Sequence, residues 1–402
     1  MAGPGTIVVV GGSLAGIRGA EALRRLGFDG RLVFVGAEPH EPYDRPPLSK
    51  EVLRGEREPD RIVLTKPEQF AALEMDLRLG RRATALDPSA REIELEDGER
   101  IGFDGLLIAT GARARQLPGT PDLAGIHVLR TLDDCLALRA ELKQSPRVAV
   151  VGAGFIGAEV AASCRKLGLE VALLETLPVP LAASVPESIG AVMADVHRDQ
   201  GVDLRCGVRV TGFDGSRRVE AVRLDDGSVV PADVVVVGIG VVPETEWLAS
   251  SGLDLDDGVV CDETCATKVE GVVAAGDVAR WPNALFGESM RVEHWTHAVE
   301  QGEAAAARLL ASATEAQPFV SVPFVWSDQY DRKIQIAGRM RPDDTVQVVH
   351  GDLAERRFVA LFGRGDRLVG AVALNRPRQL IACRRMIREG LGFAEALARI
   401  SG

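Results

Sequence analysis

The residues most able to do chemistry are three glycines and one acid in the middle of the chain. Gly152, Gly154 and Gly157 are spaced G-x-G-x-x-G, and Glu175 follows about twenty positions later within RVAVVGAGFIGAEVAASCRKLGLEVALLET (147–176). An apolar strand runs into the first glycine, a helix-period stretch follows, and a second apolar strand (171–174) ends on the acid. This order is the full dinucleotide fingerprint. Gly152 permits the tight turn, Gly154 lets a pyrophosphate approach the backbone, and Gly157 lets helix and strand pack closely. Phe155 and Ile156 open the helix, whose free N–H groups and positive dipole end suit phosphate. Gly238 and Gly240, in VVVVGIGVVPET (234–245), close this fold.

Glu175 also selects the cofactor. A carboxylate there accepts hydrogen bonds from both ribose hydroxyls of NAD and opposes the 2′-phosphate of NADP. Like charges about 4 Å apart at an effective dielectric near 20 repel by about 4 kcal/mol, and half of that exceeds tenfold discrimination. Thr176 adds no positive charge. The expectation is an NADH site.

The same order occurs 141 residues earlier. Strand 6–10 leads into GGSLAGIRGAEALRRLG, with Gly11, Ser13 and Gly16 at the fingerprint positions, and a strand at 31–35 ends near Glu38. Ser13 replaces the middle glycine; its Cβ narrows the approach of a pyrophosphate, while its hydroxyl can bond a phosphate oxygen. The internal repeat supports the assignment. Two dinucleotide folds imply two dinucleotides, and FAD is the natural companion of NAD. The proline-stiffened loop HEPYDRPPLSK (40–50) then carries Arg45 and Lys50 toward a bound cofactor, with Ser49 as the cap of a short helix.

The elements that must position these groups are legible in outline. Short strands with a turn at Asp97-Gly98 occupy 77–104. LLIATGA is a strand over 106–111, breaking at Thr110-Gly111, and VVAAGDVA ends on Gly276-Asp277. An Ala-rich helix follows His294 and Trp295. From Val320 the chain turns to short alternating strands with Phe324, Trp326, Tyr330, Phe358 and Phe362, and then an Arg-rich helix near 377–389. The expected class is α/β: two Rossmann-like three-layer domains plus a C-terminal α+β domain. The expected domains are 1–112 with 244–319 for FAD, 113–243 for NAD, and 320–402 as an interface domain.

Composition bounds the rest. The 402 residues are 46% hydrophobic and 26% charged, with net charge −11, which argues against nucleic-acid binding. Residues 320–402 are the exception, with 14 Lys+Arg against 9 Asp+Glu. Their basic surface is as consistent with scattered solvated arginines as with a docking face. Six dispersed cysteines without a C-x-x-C, no signal peptide and no long apolar run point to a cytoplasmic protein with reduced thiols and no membrane span. His294 and His297 lack a third metal ligand, so no metal is expected. Cys261 and Cys265 read as packing.

With these segments in view, the chain resembles FAD-dependent pyridine-nucleotide oxidoreductases of the glutathione-reductase-like fold. More narrowly, it is similar to NADH-dependent ferredoxin reductases of the putidaredoxin reductase type, which serve cytochrome P450s and ring-hydroxylating dioxygenases. The similarity runs essentially end to end. It is carried by PYDRPPLSK (42–50), LLIATGA (106–112), the fingerprint at 152–157, AAGDVA (274–279), EHW (293–295) and FVWSDQY (324–330).

The resemblance implies site residues. Gly11, Ser13, Leu14, Ala15 and Gly16 would hold the FAD diphosphate, with Glu38 on the adenosine ribose, although the family often places that acid one residue earlier, where Ala37 stands. Ala83 would lie at the adenine, with Ala109, Thr110 and Gly111 lining the cofactor. Gly276 and Asp277 would meet the ribitol chain. Lys50 would sit beside the flavin N5 edge and support the reduced ring, Arg45 and Arg130 would lie near the flavin, and Trp295 would touch the ring through its backbone. Glu159 would lie close to the nicotinamide, and Trp326 at the flavin edge or a docking interface.

Related disulfide reductases carry a redox cysteine pair beside the flavin, and a peroxidase and oxidase branch carries one cysteine near the position of Arg45. Residues 36–60 contain none. The implied activity is hydride transfer from NADH to FAD and single-electron transfer to an acidic [2Fe–2S] ferredoxin. Rubredoxin reduction, NADH-dependent quinone or oxygen reduction, and redox signalling like that of apoptosis-inducing factor remain open at this point. So does the choice between a monomer and a weak dimer.

Overall fold

The computed structural model describes residues 4–312 and 314–401. They fall into two compact units, one within residues 1–44, 63–113 and 242–325, the other within 45–62, 114–241 and 326–402.

The first unit is built on a parallel sheet in the order Met75–Leu79, Arg31–Gly36, Thr6–Val10, Gly105–Ile108, Val272–Ala274. Its central strand, TIVVV, is β-branched, and Ile7 to Val10 are buried, as expected of a strand covered on both faces. Helix Leu14–Arg25 packs on helix Trp295–Leu310 through small residues. A Cβ on Gly302 would lie 2.5 Å from Ala15 O, and one on Gly19 would lie 2.4 Å from Leu107 Cδ2. Two three-stranded sheets complete the unit, Ala83–Asp87 with Glu92–Leu95 and Arg100–Gly102, and Val259–Val260 with Ala279–Asn283 and Glu288–Arg291.

The second unit repeats the plan. Its parallel sheet runs Asp203–Cys206, Val171–Glu175, Val148–Val151, Val234–Val237, Ile126–Val128. In both units the glycine-bearing strand is central, the next strand of its βαβ unit lies to one side, and a later strand lies to the other. That reversal is the switch point at which such sheets bind nucleotides. The outer strands differ in origin, since 272–274 comes late in the chain and 126–128 precedes its fold. The C-terminal segment adds a five-stranded sheet, in the order Phe324–Gln329, Arg332–Gly338, Arg367–Leu374, Arg357–Arg364, Thr345–Asp352. Helices Pro377–Arg388 and Phe393–Ser401 pack on it.

Two local expectations are corrected. The LLIATGA strand stops at Ile108, not at 111. Ala109 O would lie 2.0 Å from a Cβ on Gly11, so only a glycine lets the two turns meet here. Ser49 does not cap a helix. It is the last residue of the 3-10 turn Pro46–Ser49, and its buried hydroxyl donates to Glu159 Oε2 at 2.5 Å instead.

The second unit gathers residues 45–62 through polar contacts. Ser163 Oγ donates to Ser49 O at 2.6 Å, Arg54 Nη1 donates to Ser163 Oγ at 3.1 Å, and Arg139 Nη2 meets Glu58 Oε1 at 2.9 Å. Of the six thiols, all but that of Cys206 are buried. Burial pushes those of Cys135, Cys164, Cys261 and Cys383 up to about 12, and that of Cys265 also well up.

Candidate active site

The first unit carries one dinucleotide cradle. Gly11 has φ +131°, and Gly16 is so close to it that a Cβ there would lie 2.0 Å from Gly11 O. Ser13 stands at the N-cap of Leu14–Arg25 with extended backbone. The first hydrogen bond within the helix runs from Ile17 N to Ser13 O, so the N–H groups of Leu14, Ala15 and Gly16 precede it. Gly276, at φ +79°, brings the 276–277 turn against Ala15, and its N–H donates to Gln301 Oε1 at 2.9 Å. Thr110 Oγ1 donates to Glu244 O at 2.8 Å, and Gly111 adopts φ +68°.

Three further residues of this unit are held in place. Tyr43 donates to Glu38 Oε2 at 2.5 Å. Ala83 is buried at the start of its strand. Trp295, the first helical residue after His294, donates from Nε1 to Asp44 Oδ1 at 2.8 Å. His297 is engaged differently. It is wholly buried, stacked on Trp281 with ring centroids 4.6 Å apart and 5.6 Å from that of Phe319, and desolvation holds it down at about 3. Among the described residues, no group of three or more His, Cys, Asp or Glu is arranged for a metal ion.

The second unit carries the other cradle. Gly152 has φ +97°, and a Cβ on Gly157 would lie 1.9 Å from Gly152 O. Gly154, the N-cap of Phe155–Lys166, has open space where a Cβ would be, which is what close approach of a pyrophosphate needs. Ala158 N makes the first helical bond to Gly154 O, so the N–H groups of Phe155, Ile156 and Gly157 precede it. Glu175 Oε2 accepts from Ala153 N at 2.6 Å, and Oε1 accepts from Leu177 N at 2.9 Å. The acid is thereby tied to the glycine turn. Gly238 follows its strand, and Gly240 has φ +96° with open space around its Cβ position.

The same unit holds a buried charge cluster. Lys50 Nζ lies 2.6 Å from Glu159 Oε2, both residues being nearly inaccessible. Ser327 Oγ donates to Glu159 Oε1 at 2.8 Å, and Gln329 Nε2 donates to Ser327 Oγ at 3.1 Å. Arg45 Nη1 donates to Arg130 O at 2.6 Å, which fixes the loop ahead of Lys50. From sequence alone, Lys50 and Glu159 stand apart and unpaired, Ser49 reads as a helix cap, and Ser327 and Gln329 carry no role within FVWSDQY. One signal was available. Ser327 and Gln329 alternate along one strand and share its inward face, where apolar residues are the rule.

Two glycine-built cradles, each with a helix N-terminus and a strand-end acid, fit two dinucleotides. With the buried Lys50–Glu159 pair they define a flavin- and nicotinamide-dependent oxidoreductase, which uses FAD and NAD(H). The chain belongs to the pyridine nucleotide-disulphide oxidoreductase family, which it matches over residues 5–302, and residues 324–399 match the Reductase C-terminal family. It is 37% identical over 386 residues to rhodocoxin reductase of Rhodococcus erythropolis, covering 95% of this chain and 89% of that one. The ferredoxin--NAD(+) reductase component of the anthranilate 1,2-dioxygenase system of Burkholderia cepacia is 39% identical over 386 residues, covering 95% and 94%. The structure of the covalent putidaredoxin reductase–putidaredoxin complex matches with a TM-score of 0.92 at 33% identity, over 97% of this chain and 94% of that one.

Proposed function

We propose that this chain carries electrons from NADH through FAD to a [2Fe–2S] ferredoxin that feeds a cytochrome P450 or ring-hydroxylating oxygenase. The observation that carries the reading is the buried Lys50–Glu159 pair on a chain with two dinucleotide cradles and no cysteine in residues 36–60. The site residues of both cradles are assigned as the resemblance implies, with Gly11 to Gly16, Glu38 and Gly276-Asp277 for FAD. Gly152 to Gly157 and Glu175 are assigned to NAD.

Bound FAD would supply the conversion from hydride chemistry to single-electron chemistry. The chain's own residues do the rest. Helix N-termini at 14–16 and 155–157 neutralise phosphate charge, and Glu175 holds the adenosine ribose and repels a 2′-phosphate. Lys50 would supply positive charge in support of a bound flavin's reduced form, and Glu159 holds that ammonium at 2.6 Å. No protein acid or base is required. Electrons leave without a thiol relay, since no cysteine stands where related enzymes use one.

The C-terminal segment suits an acidic partner. Along Pro377–Arg388, Arg378, Arg385 and Arg388 are exposed beside Ile381, which is 63% exposed. We assign docking to this basic module together with Trp326, with charge steering the encounter. Among the described residues no helix is long and apolar enough to cross a membrane, and we assign the protein to the cytoplasm.

The test is an anaerobic stopped-flow mix of the yellow protein with NADH or NADPH, followed by a [2Fe–2S] ferredoxin. Fast bleaching by NADH alone, then reoxidation by ferredoxin that slows with salt, is the expected result. Bleaching with no ferredoxin turnover transfers the assignment to a quinone or oxygen reductase. No bleaching at all overturns the NADH-reductase reading.

A further inference from the structure

We propose that Ser327 is a positioning residue for hydride transfer, acting on Lys50 through Glu159; the inference rests on the reading that the Lys50–Glu159 pair serves the flavin.

Glu159 receives three side-chain hydrogen bonds, divided between its two oxygens. Among the described residues, Oε2 takes Lys50 Nζ at 2.6 Å and Ser49 Oγ at 2.5 Å, while Oε1 takes only Ser327 Oγ at 2.8 Å. The two oxygens belong to one rigid plane, so whatever fixes Oε1 fixes where Oε2 holds the ammonium. Ser327 therefore sets the rotation of the carboxylate. Its own hydroxyl is also directed, because Gln329 Nε2 donates to Ser327 Oγ at 3.1 Å and leaves the serine proton for Glu159. Ser327 and Gln329 are wholly buried and Glu159 is 3% exposed, so water does not substitute freely at these bonds.

The strand that carries Ser327 is pinned beyond it. Tyr330 adopts φ +57°, a left-handed conformation that is costly for an aromatic side chain. Its hydroxyl lies 2.8 Å from Nδ1 of the buried His197, with ring centroids 5.4 Å apart. Arg356 and Asp199 add an ion pair between the C-terminal module and the same helix, Glu187–Asp199. The Reductase C-terminal segment thus reaches a charge pair formed wholly by residues outside it, through Ser327, with Gln329 and Tyr330 holding the hydroxyl in place.

The experiment uses the FAD-loaded full chain as wild type and as Ser327→Ala, Ser327→Thr, Lys50→Met, Glu159→Gln, and Glu159→Gln with Ser327→Ala. Three quantities are read on each: the rate of flavin reduction by NADH, the midpoint potential of the bound flavin, and thermal stability. Ser327→Ala is expected to slow reduction about tenfold to a hundredfold, the scale of one lost hydrogen bond to a charged group, and to move the potential negative. NADH affinity is expected to stay unchanged, and Ser327→Thr to restore both rate and potential. In the Glu159→Gln background, Ser327→Ala is expected to add no further change in either quantity.

Wild-type rate and potential in Ser327→Ala, with or without lost stability, would overturn the proposal, as would full additivity with Glu159→Gln. If Lys50→Met and Glu159→Gln also leave rate and potential unchanged, the reading of the pair itself falls, and the role of Ser327 with it. If those two variants alter both quantities and Ser327→Ala does not, only the role of Ser327 falls.

Discussion

Lys50 and Glu159, 109 residues apart, form a 2.6 Å ion pair in which neither side chain is more than a tenth exposed. Removing one member of such a pair leaves a buried charge and costs about 3–5 kcal/mol. Lys50→Met is expected to lower the urea midpoint accordingly and to slow flavin reduction by NADH at least tenfold. Combining it with Glu159→Gln is expected to recover most of the stability and none of the rate. Urea unfolding beside anaerobic stopped-flow separates the two effects, and recovery of rate in the double variant would contradict an electrostatic role for Lys50.

Glu175 is held by Ala153 N and Leu177 N, so its charge is fixed beside the glycine turn. Glu175→Gln is expected to raise KM for NADH and to reduce discrimination against NADPH by roughly tenfold or more, from half of the like-charge repulsion estimated at this distance. Paired steady-state assays check this. An unchanged NADH to NADPH ratio would remove Glu175 from the selection.

The two cradles give separable outcomes. Gly16→Ala places a Cβ 2.0 Å from Gly11 O, and Gly157→Ala places one 1.9 Å from Gly152 O, so in each case the helix must move off its strand. Gly16→Ala is expected to lose bound flavin. Gly157→Ala is expected to keep flavin and weaken NADH binding more than tenfold. Flavin absorbance per protein and an NADH titration distinguish them, and equal effects of both variants on flavin content would contradict the assignment of one cradle to each cofactor.

Two buried histidines give a pH dependence of known sign. Desolvation lowers His197 from 6.5 to about 4 and His297 from 6.5 to about 3. The unfolded chain then binds more protons than the folded one below 6.5, so stability is fully present above that pH and falls as pH drops toward the folded values. Each histidine contributes a slope of about 1.4 kcal/mol per pH unit in that window. His197→Gln is expected to flatten the dependence of the urea midpoint between pH 6.5 and pH 4.5, above the range where most carboxylates titrate. A slope unchanged by the variant would contradict the neutral burial of His197.

Much of this architecture is legible because it is local. The strands at Thr6–Val10 and Val171–Glu175 follow from apolar runs, the glycine turns from their spacing, and the start of Trp295–Leu310 from the residues around His294. What escaped the sequence is non-local. Ser49 reads as a helix cap until Glu159, 110 residues away, claims its hydroxyl. The strand ends at Ile108, and Ala109 O lies where a Cβ on Gly11 would stand, a close approach that no pattern within residues 105–112 announces. The partnership of Ser327 with Glu159 spans 168 residues and depends on which face of a strand is turned inward.

The buried thiols bear on endurance in air. A flavoprotein that releases electrons singly also meets oxygen, and the peroxide that follows attacks thiolates. Burial pushes Cys135, Cys164, Cys261 and Cys383 up to about 12, so at pH 7 they stay protonated thiols rather than reactive thiolates. Cys206, half-buried and also raised by desolvation, is the most accessible of the six. Its cysteines therefore offer peroxide little thiolate, and thiol oxidation during turnover is expected to begin at Cys206.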